Sequence, residues 1–498
     1  MNVDFISDEY TEHEPIWQTI RDCVAGEKAI KDRDKAYSSS IKSNNLIPDG
    51  HLFCSPIYLP MPNPTDTSSR NMARYAQYLQ RASFVGYTGR TLNGMMGMVF
   101  RTEPKIELPA EMQYLIANAD GTEVGLAQQS EEVARDVGSI GRAGLYTDYP
   151  KTNGQVTRAD VERAGMRATI NFYSAECILD WDCKRFGAVT KLIYVKLKEE
   201  VCERNSDYDL EKKTQYRCLR LSDEQVYYVE VYDDSGEMIE SFEPKTGGNR
   251  PFNHIPFQFV GAANNRPSID DAPLQEIADV NIKHYRNSAD YEESSFIVGQ
   301  PTLFMSGMNE GWMEKFYSDG VPFGSRAGLA GPTGSSAQLL QAQANSMPME
   351  GMKHKEEQMI ALGARVVSSG GQAETAEAAR IKHEADTSSL SVGVRNINSA
   401  YSKALNDVAL FTYQGNIPED IVFELNTQLV DMTLTPEQAE GLVRVWQSGA
   451  IDKDVLDSKL KKGGIIYEQK DLEEMNGNID NETQGLNLNG GNFTNSDE

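Results

Sequence analysis

The chain has 498 residues, length for about three domains, and 39% of them are hydrophobic, so it can bury a large core. A formal net charge of −26 excludes attraction of nucleic acid by the chain as a whole. No apolar run reaches the ~18 residues that a membrane-crossing helix requires. The acidic start Met1-Asn-Val-Asp-Phe-Ile-Ser-Asp-Glu9 lacks a signal pattern. Six cysteines (Cys23, Cys54, Cys177, Cys183, Cys202, Cys218) form no C-x-x-C pair. They read as reduced, mostly buried thiols of a protein made and kept in a cytoplasm, or in something assembled there.

Residues 1–13 read as acidic and loose. The stretch from Pro15 to Tyr37 reads as an amphipathic helix with Trp17, Ile20, Val24 and Ala29 on its apolar face. Asn44-Asn45, Pro48-Asp-Gly50 and the prolines 56, 60, 62 and 64 make 38–66 loop-like. Residues 67–102 carry Arg70, Arg74, Arg81, Arg90 and Arg101 and no acid. Such a cluster either contacts DNA or an acidic partner, or pairs with acids elsewhere in the fold or on a neighbouring subunit. Gly94-Met-Met-Gly-Met-Val-Phe100 reads as tight core packing.

The pattern predicts helix over 124–146, ending at Gly141-Arg-Ala-Gly144. Over 168–260 the period becomes two. Ile193, Val195 and Leu197 alternate with Tyr194 and Lys196, and Tyr227, Val229 and Val231 alternate with Tyr228 and Glu230. Asp233-Asp-Ser-Gly236 is a hairpin turn, so this stretch reads as an antiparallel meander of about five strands.

Two helical runs organise residues 268–413. In the first, from Asp271 to Tyr291, Asp270 and Asp271 are placed to cap, Pro273 suits the first turn, and Glu276 suits the positive end of the dipole. Leu274, Ile277, Asn281, Tyr285 and Ser288 share one face. Pro301-Thr-Leu-Phe-Met305 reads as a strand. From Gly320 to Met349 the only charged residue is Arg326, which makes a surface buried against something, or a loop. Residues 348–367 return to helix, with Met352, Met359, Gly363 and Val366 on one side. Ser368-Ser-Gly-Gly-Gln372 is too glycine-rich for a helix interior. In the second run, from Glu374 to Phe411, Leu390, Val394, Ile397, Tyr401, Ala404, Val408 and Phe411 repeat at alternating four- and three-residue steps, a packing seam. At ~1.5 Å per residue this helix is about 57 Å long, the scale of a rod in a larger assembly. Asp420-Ile-Val-Phe-Glu-Leu425 reads as a strand. Thr435 and Pro436 open a helix, and another follows Ile451-Asp452 to Gly463-Gly464. The lysine- and arginine-free tail at 476–498 reads as disordered.

Catalytic signatures are missing. There is no phosphate loop, no G-x-G-x-x-G, no G-x-S-x-G and no H-E-x-x-H. Cys177 and Cys183 lack zinc spacing and read as core thiols. Asp233-Asp234 and Asp270-Asp271 are explained as a turn and a cap. No residue is assigned a catalytic, cofactor-binding or metal role, and the expectation is a non-enzyme without a cofactor.

Motifs in order along nearly the whole chain carry a resemblance. They are Trp17-Gln-Thr-Ile-Arg-Asp22, Gly26-Glu-Lys-Ala-Ile30, Tyr58-Leu-Pro60, Tyr78-Leu-Gln-Arg-Ala-Ser-Phe84 and Gly89-Arg-Thr-Leu-Asn-Gly-Met-Met-Gly-Met-Val-Phe-Arg101. They continue with Gly141-Arg-Ala-Gly-Leu-Tyr-Thr-Asp-Tyr-Pro150, Tyr173-Ser-Ala-Glu-Cys-Ile-Leu-Asp-Trp181, Ile255-Pro-Phe257, Pro273-Leu274, Asn281-Ile-Lys-His-Tyr-Arg-Asn-Ser-Ala-Asp290, Glu374-Thr-Ala376 and the region ending at Ile451. In these the chain resembles bacteriophage portal proteins, the head-to-tail connector rings, in a portal-like group formerly of unknown function. The loop at 38–56 looks like an insertion relative to that pattern.

The resemblance implies an α+β portal fold in a ring, typically of twelve copies, around a tunnel for double-stranded DNA. It implies a wing at 1–270, stem helix 1 at 271–296 and a small β-containing clip at 297–346. Stem helix 2 would be 347–367, the tunnel loop 368–373, and the long helix with a strand returning to the wing 374–430. Crown helices would follow at 431–475, then the tail at 476–498. Ser368, Ser369, Gly370, Gly371 and Gln372 would face DNA. Trp312, Phe316, Tyr317 and Arg326 would dock partners at the clip, and Leu390, Val394, Ile397, Tyr401 and Val408 would form a seam between subunits. The implied partners are other copies of the chain, the DNA, the terminase large subunit, a tail adaptor, the major capsid protein and scaffold, with no membrane. The implied location is the portal vertex of the virion, and the host cytoplasm during assembly. Another head–tail connector or adaptor is the alternative, and a metal-dependent nuclease and a membrane-surface protein are more distant ones. An acidic tunnel would repel a duplex carrying about one charge per ~1.7 Å, letting it slide, while the uncharged loop checks it sterically. Deleting Gly370-Gly371 is therefore expected to lower packaged-DNA yield or retention with rings intact; unchanged packaging would sink that role for the loop.

Overall fold

The structure is a computed structural model that describes residues 5–42, 57–63, 65–66, 68–149, 166–206, 209–300, 302–321, 330–343, 345–363, 376–413, 417–427 and 436–462. It divides into two units, Met1–Thr427 and Gln428–Glu498. The first begins with helices α1 (Asp8–Ala25), α2 (Glu27–Lys42), α3 (Ser69–Arg81) and α4 (Tyr87–Val99). Strand β1 (Lys105–Glu107), α5 (Tyr114–Ala117) and α6 (Leu126–Ile140) follow. Next come β2 (Arg142–Asp148), β3 (Thr169–Ser174), β4 (Ile178–Phe186), β5 (Val189–Ser206), β6 (Asp209–Leu221), β7 (Tyr227–Asp233), β8 (Met238–Phe242) and β9 (Phe257–Gly261). The unit closes with α7 (Gln275–Val298), β10 (Thr302–Ser306), α8 (Glu310–Phe316), β11 (Ser336–Leu340), α9 (Met347–Ala361), α10 (Ala376–Thr412) and β12 (Val422–Glu424). The second unit contributes α11 (Pro436–Gln447) and α12 (Lys453–Lys462), which pack on each other. With 46% helix, 23% strand and antiparallel pairing throughout the described sheets, the chain is α+β.

A five-stranded meander forms in the order β4-β5-β6-β7-β8, shorter than the 168–260 expected because β3 and β9 at the ends of that stretch pair with β2 instead, and Asp233 Oδ1 accepts the N–H groups of Ser235 and Glu237 in the β7–β8 turn. A second sheet, β3-β2-β9, has β2 at its centre. Helix α10 lies against β2, β9 and α6. Val394, Ile397, Tyr401, Ala404, Val408 and Phe411 are all buried there. Tyr401 donates to Gln129 Oε1 at 3.2 Å and stacks on Phe423 with centroids 4.3 Å apart, and Phe411 meets Phe252 at 4.4 Å. The stripe thus closes inside a single chain. The expectation that Val394, Ile397, Tyr401 and Val408 form a seam between subunits is corrected: this chain's own sheet already occupies that face. Leu390 is partly exposed at its end.

Several boundaries differ from the sequence reading. The start is helical from Asp8, because Ser7 Oγ accepts the Tyr10 N–H and Tyr10 packs edge-on against buried Trp17. The predicted single helix after Pro15 is two, divided at Gly26. Helix α6 stops at Ile140, where Gly141 takes the left-handed conformation (φ 80°), and the next residues enter the buried β2. Asp270 and Asp271 do not cap α7. Leu274 occupies its N-cap position, Pro273 lies in the preceding turn, and the Asp270 carboxylate instead accepts from the N–H groups of Ala263 and Asn264. Cys23 and Cys218 are buried, Cys177 and Cys183 half-buried and Cys202 exposed, so the thiols are less buried than their composition suggests; Cys54 lies outside the described residues.

Polar groups tie the helices together. Arg21 on α1 grips Asp136 on α6 with two hydrogen bonds, of 2.6 and 2.8 Å, and donates to Glu176 at 2.8 Å. Asp34 on α2 is buried and accepts the N–H groups of Tyr58 and Leu59, both at 3.0 Å. Burial pushes its carboxyl up from 3.8 to about 6, against the pull of those donors. A raised folded-state value adds stability that is complete below the unfolded value and fades as pH rises through the folded one. Wild-type stability relative to Asp34→Asn should therefore fall by roughly 2–3 kcal/mol between about pH 4 and pH 7. Urea unfolding of both proteins across that window measures it, and a pH-independent difference contradicts it.

Candidate functional site

Helix α7 is gripped from several sides. Leu274, at its N-cap, and Ile277, Asn281, Tyr285 and Ser288 are all buried, as their spacing predicts. Two of these are polar and bind backbone. Asn281 Oδ1 accepts from the Thr88 N–H at 3.3 Å and the Thr88 hydroxyl at 3.1 Å, while its Nδ2 donates to Val85 O at 2.8 Å. Ser288 donates to Ser83 O at 2.8 Å and accepts the Ser83 N–H at 3.0 Å. Together they hold the α3–α4 connection on α7. Arg286 donates to Tyr58 O at 2.6 Å, and the Tyr285 hydroxyl reaches Asp34 Oδ2 at 3.4 Å.

Farther along α7, helix α3 supplies a charged brace. Tyr78 donates to Asp290 at 2.6 Å, Arg81 pairs with Glu293 at 2.5 Å and Arg74 with the same carboxylate at 3.6 Å. The Arg81 guanidinium also lies 4.1 Å from the centre of the Phe296 ring. Two arginines of the 67–102 cluster are thus taken by an acid elsewhere in the fold, one of the two alternatives their spacing left open. Arg70 and Arg90 are exposed.

Helix α9 packs on α7 antiparallel. His284 Nε2 lies 3.4 Å from Glu356 Oε1. A Cβ at Gly351 would come within 2.5 Å of Asn287 Nδ2, and one at Gly363 within 3.4 Å of Ile277. Later positions on one side face earlier positions on the other, and Gly351 permits the close approach. His284 is buried, stacks edge-on against Tyr87, and burial lowers its pKa while Glu356 opposes that. Met359 is buried and Met352 half-buried; Val366 lies outside the described residues.

The pair carries a tip with almost no interior. Among the described residues from Phe296 to Glu350, only Tyr317 is buried. β10 and β11 pair antiparallel, Leu303 opposite Leu339 and Thr302 opposite Leu340. Asn309 caps α8, and Trp312 and Phe316 pack with ring centres 4.6 Å apart. Of the docking candidates, Phe316 is exposed and Trp312 half-buried. Tyr317 is 8% exposed, and its hydroxyl donates to Ala330 O at 2.7 Å and accepts the Ala330 N–H at 2.9 Å. It is corrected from a docking residue to the post that holds α8 on the following turn. Arg326 and the loop Ser368, Ser369, Gly370, Gly371 and Gln372 lie outside the described residues. The sequence reading missed Phe304, Leu339 and Leu340, whose signal was a short apolar pattern in uncharged surroundings. Among the described residues, no cluster of three His, Cys, Asp or Glu could hold a metal, and no helix is long and apolar enough to cross a membrane.

Truncating Asn281 to Ala would leave the Thr88 N–H and Val85 O unpaired in a buried setting, at a cost of about 2–3 kcal/mol. Chemical denaturation measures this, and a loss below about 0.5 kcal/mol would show that the tie is unimportant.

No curated protein matches the chain. The family model described as Domain of unknown function (DUF4055) matches residues 273–412, so that domain is present over the stretch from the turn before α7, through the tip and α9, to the end of α10.

Proposed function

We propose that the chain is the subunit of a portal ring. The ring sits at one capsid vertex, conducts double-stranded DNA inward during packaging and outward during ejection, and docks a packaging motor and a tail adaptor. The observation that carries this reading is the braced antiparallel pair α7–α9 ending in a low-charge segment with a single buried residue among those described. A segment of that kind is built to be covered by other molecules. In this reading α7 and α9 are the stem, 297–346 the clip, and α11 and α12 belong to the crown. The motif order given above supports the same assignment, and the family match falls on the stem, clip and long helix together. DNA movement would be driven by a separate ATPase, since the sequence has no phosphate loop.

The solution mass of the full chain, by mass photometry with negative-stain imaging, tests the reading. A closed ring of roughly twelve 55.4 kDa chains with a central hole is the expected result. A single chain that stays single after capsid and scaffold proteins are added overturns it.

A further inference from the structure

The packing beside the start of α7 leaves a hole. A cavity of about 450 Å³ lies where α4, α6 and α10 meet the connection from β9 to α7. Protein interiors pack to crystal density, with few voids larger than a water molecule. Apolar cavities of ~150 Å³ take up a benzene-sized molecule, so this one has room for a body of two fused rings. Its walls are apolar, with Met95, Met96 and Val99 on α4, Val137 on α6, and Leu390 and Ile397 on α10. Thioether side chains adapt to the outline of what they meet.

Gly393, on the α10 wall, is the informative residue. Glycine inside a helix is disfavoured relative to alanine, unless the backbone or a close neighbour demands it. Neither holds here. The residue is helical, and a Cβ there would meet nothing nearer than Val137 Cγ1 at 3.6 Å and Ala262 O at 3.8 Å, both ordinary contacts. At Gly138, on the α6 wall, a Cβ would come within 3.2 Å of Met96 Cε, so packing accounts for that glycine. What Gly393 preserves is space inside the cavity. Ala263 and Asp271 are exposed and mark its mouth, and Asp271 is the single charged residue among the described lining residues.

We propose that this cavity binds a small apolar molecule carrying one cationic group, its body between α4, α6 and α10 and its ammonium beside Asp271. Apolar walls with one polar anchor select the body, and a lone acid selects the sign of the head group. The site is separate from the tip and does not rest on the ring reading. Asp271 and Pro273 lead directly into α7, so an occupant joins the start of that helix to α10.

The test titrates the full chain with three probes that share one ring system, naphthylmethylamine, naphthylmethanol and naphthoate, by equilibrium dialysis and thermal unfolding. The amine should bind with a dissociation constant of about 100 μM or better and raise the unfolding temperature. The alcohol should bind about threefold to fivefold more weakly, and the carboxylate weakest. Asp271→Asn should bring the amine to the level of the alcohol and leave the alcohol unchanged. Gly393→Leu, on the inner wall, and Ala263→Phe, at the mouth, should each weaken all three probes by about tenfold or more. Ala263 is exposed, so its variant reads the site even where Gly393→Leu fails to fold. No binding of the amine to the wild type at about 1 mM, or unchanged binding to Ala263→Phe, overturns the site. A carboxylate held as tightly as the amine overturns the ligand class. Ring formation enters none of these readouts, so their failure leaves the ring reading untouched.

Discussion

The grip on α7 is the constraint on which the rest depends. The helix bears its tip about 36 Å of helix length away from its buried start, at ~1.5 Å per residue. An amphipathic contact alone would let such a helix slide or rotate. Asn281 and Ser288 prevent that, because each reads backbone groups of one other segment, and a shift of one residue would unpair both. Glu293 then fixes the far half to α3 through two arginines. Both contacts set the direction of the helix; the Arg81–Glu293 pair is mostly shielded from solvent, while the exposed Arg74 arm contributes little to stability.

The tip shows the opposite arrangement. It has hydrogen bonds in place of a core: the Tyr317 hydroxyl and the Trp312 indole both converge on Ala330 O. Such contacts define a shape without offsetting the conformational entropy of ordering dozens of residues. The body closes its apolar surface within one chain, around the α10 stripe, whereas Phe304, Leu339 and Leu340 of the tip stay exposed. Local stability should be graded accordingly, from the three-stranded sheet outward.

Periodicity made much of this legible. The α7 face and the α10 stripe follow directly from three- and four-residue steps, and the meander follows from alternation. What failed to show was the partner of each surface. A stripe at alternating four- and three-residue steps is equally suited to a neighbouring subunit or to a sheet of the same chain, and only the position of β2 and β9 decides. Likewise Asp270 has the chemistry of a helix cap, but two loop N–H groups claim its carboxylate. Ser7 lay hidden because an acidic start looks loose until Tyr10 and Trp17 meet. Tyr317 looked like a docking aromatic because sequence cannot tell an exposed ring from one whose hydroxyl holds a turn.

The low charge of 297–347, which carries Glu310, Glu314, Asp319, Lys315 and Arg326, contrasts with the acidity of the chain as a whole. Identical chains of charge −26 repel one another, and copies brought into a ring would concentrate that repulsion wherever acids meet across a contact. A seam between such copies is least costly where each presents no charge, and β10 and β11 are uncharged throughout. On the proposed reading, the composition of 297–347 would have the same physical origin as the net charge, since contacts between copies of a highly acidic chain cost least where no charge is presented.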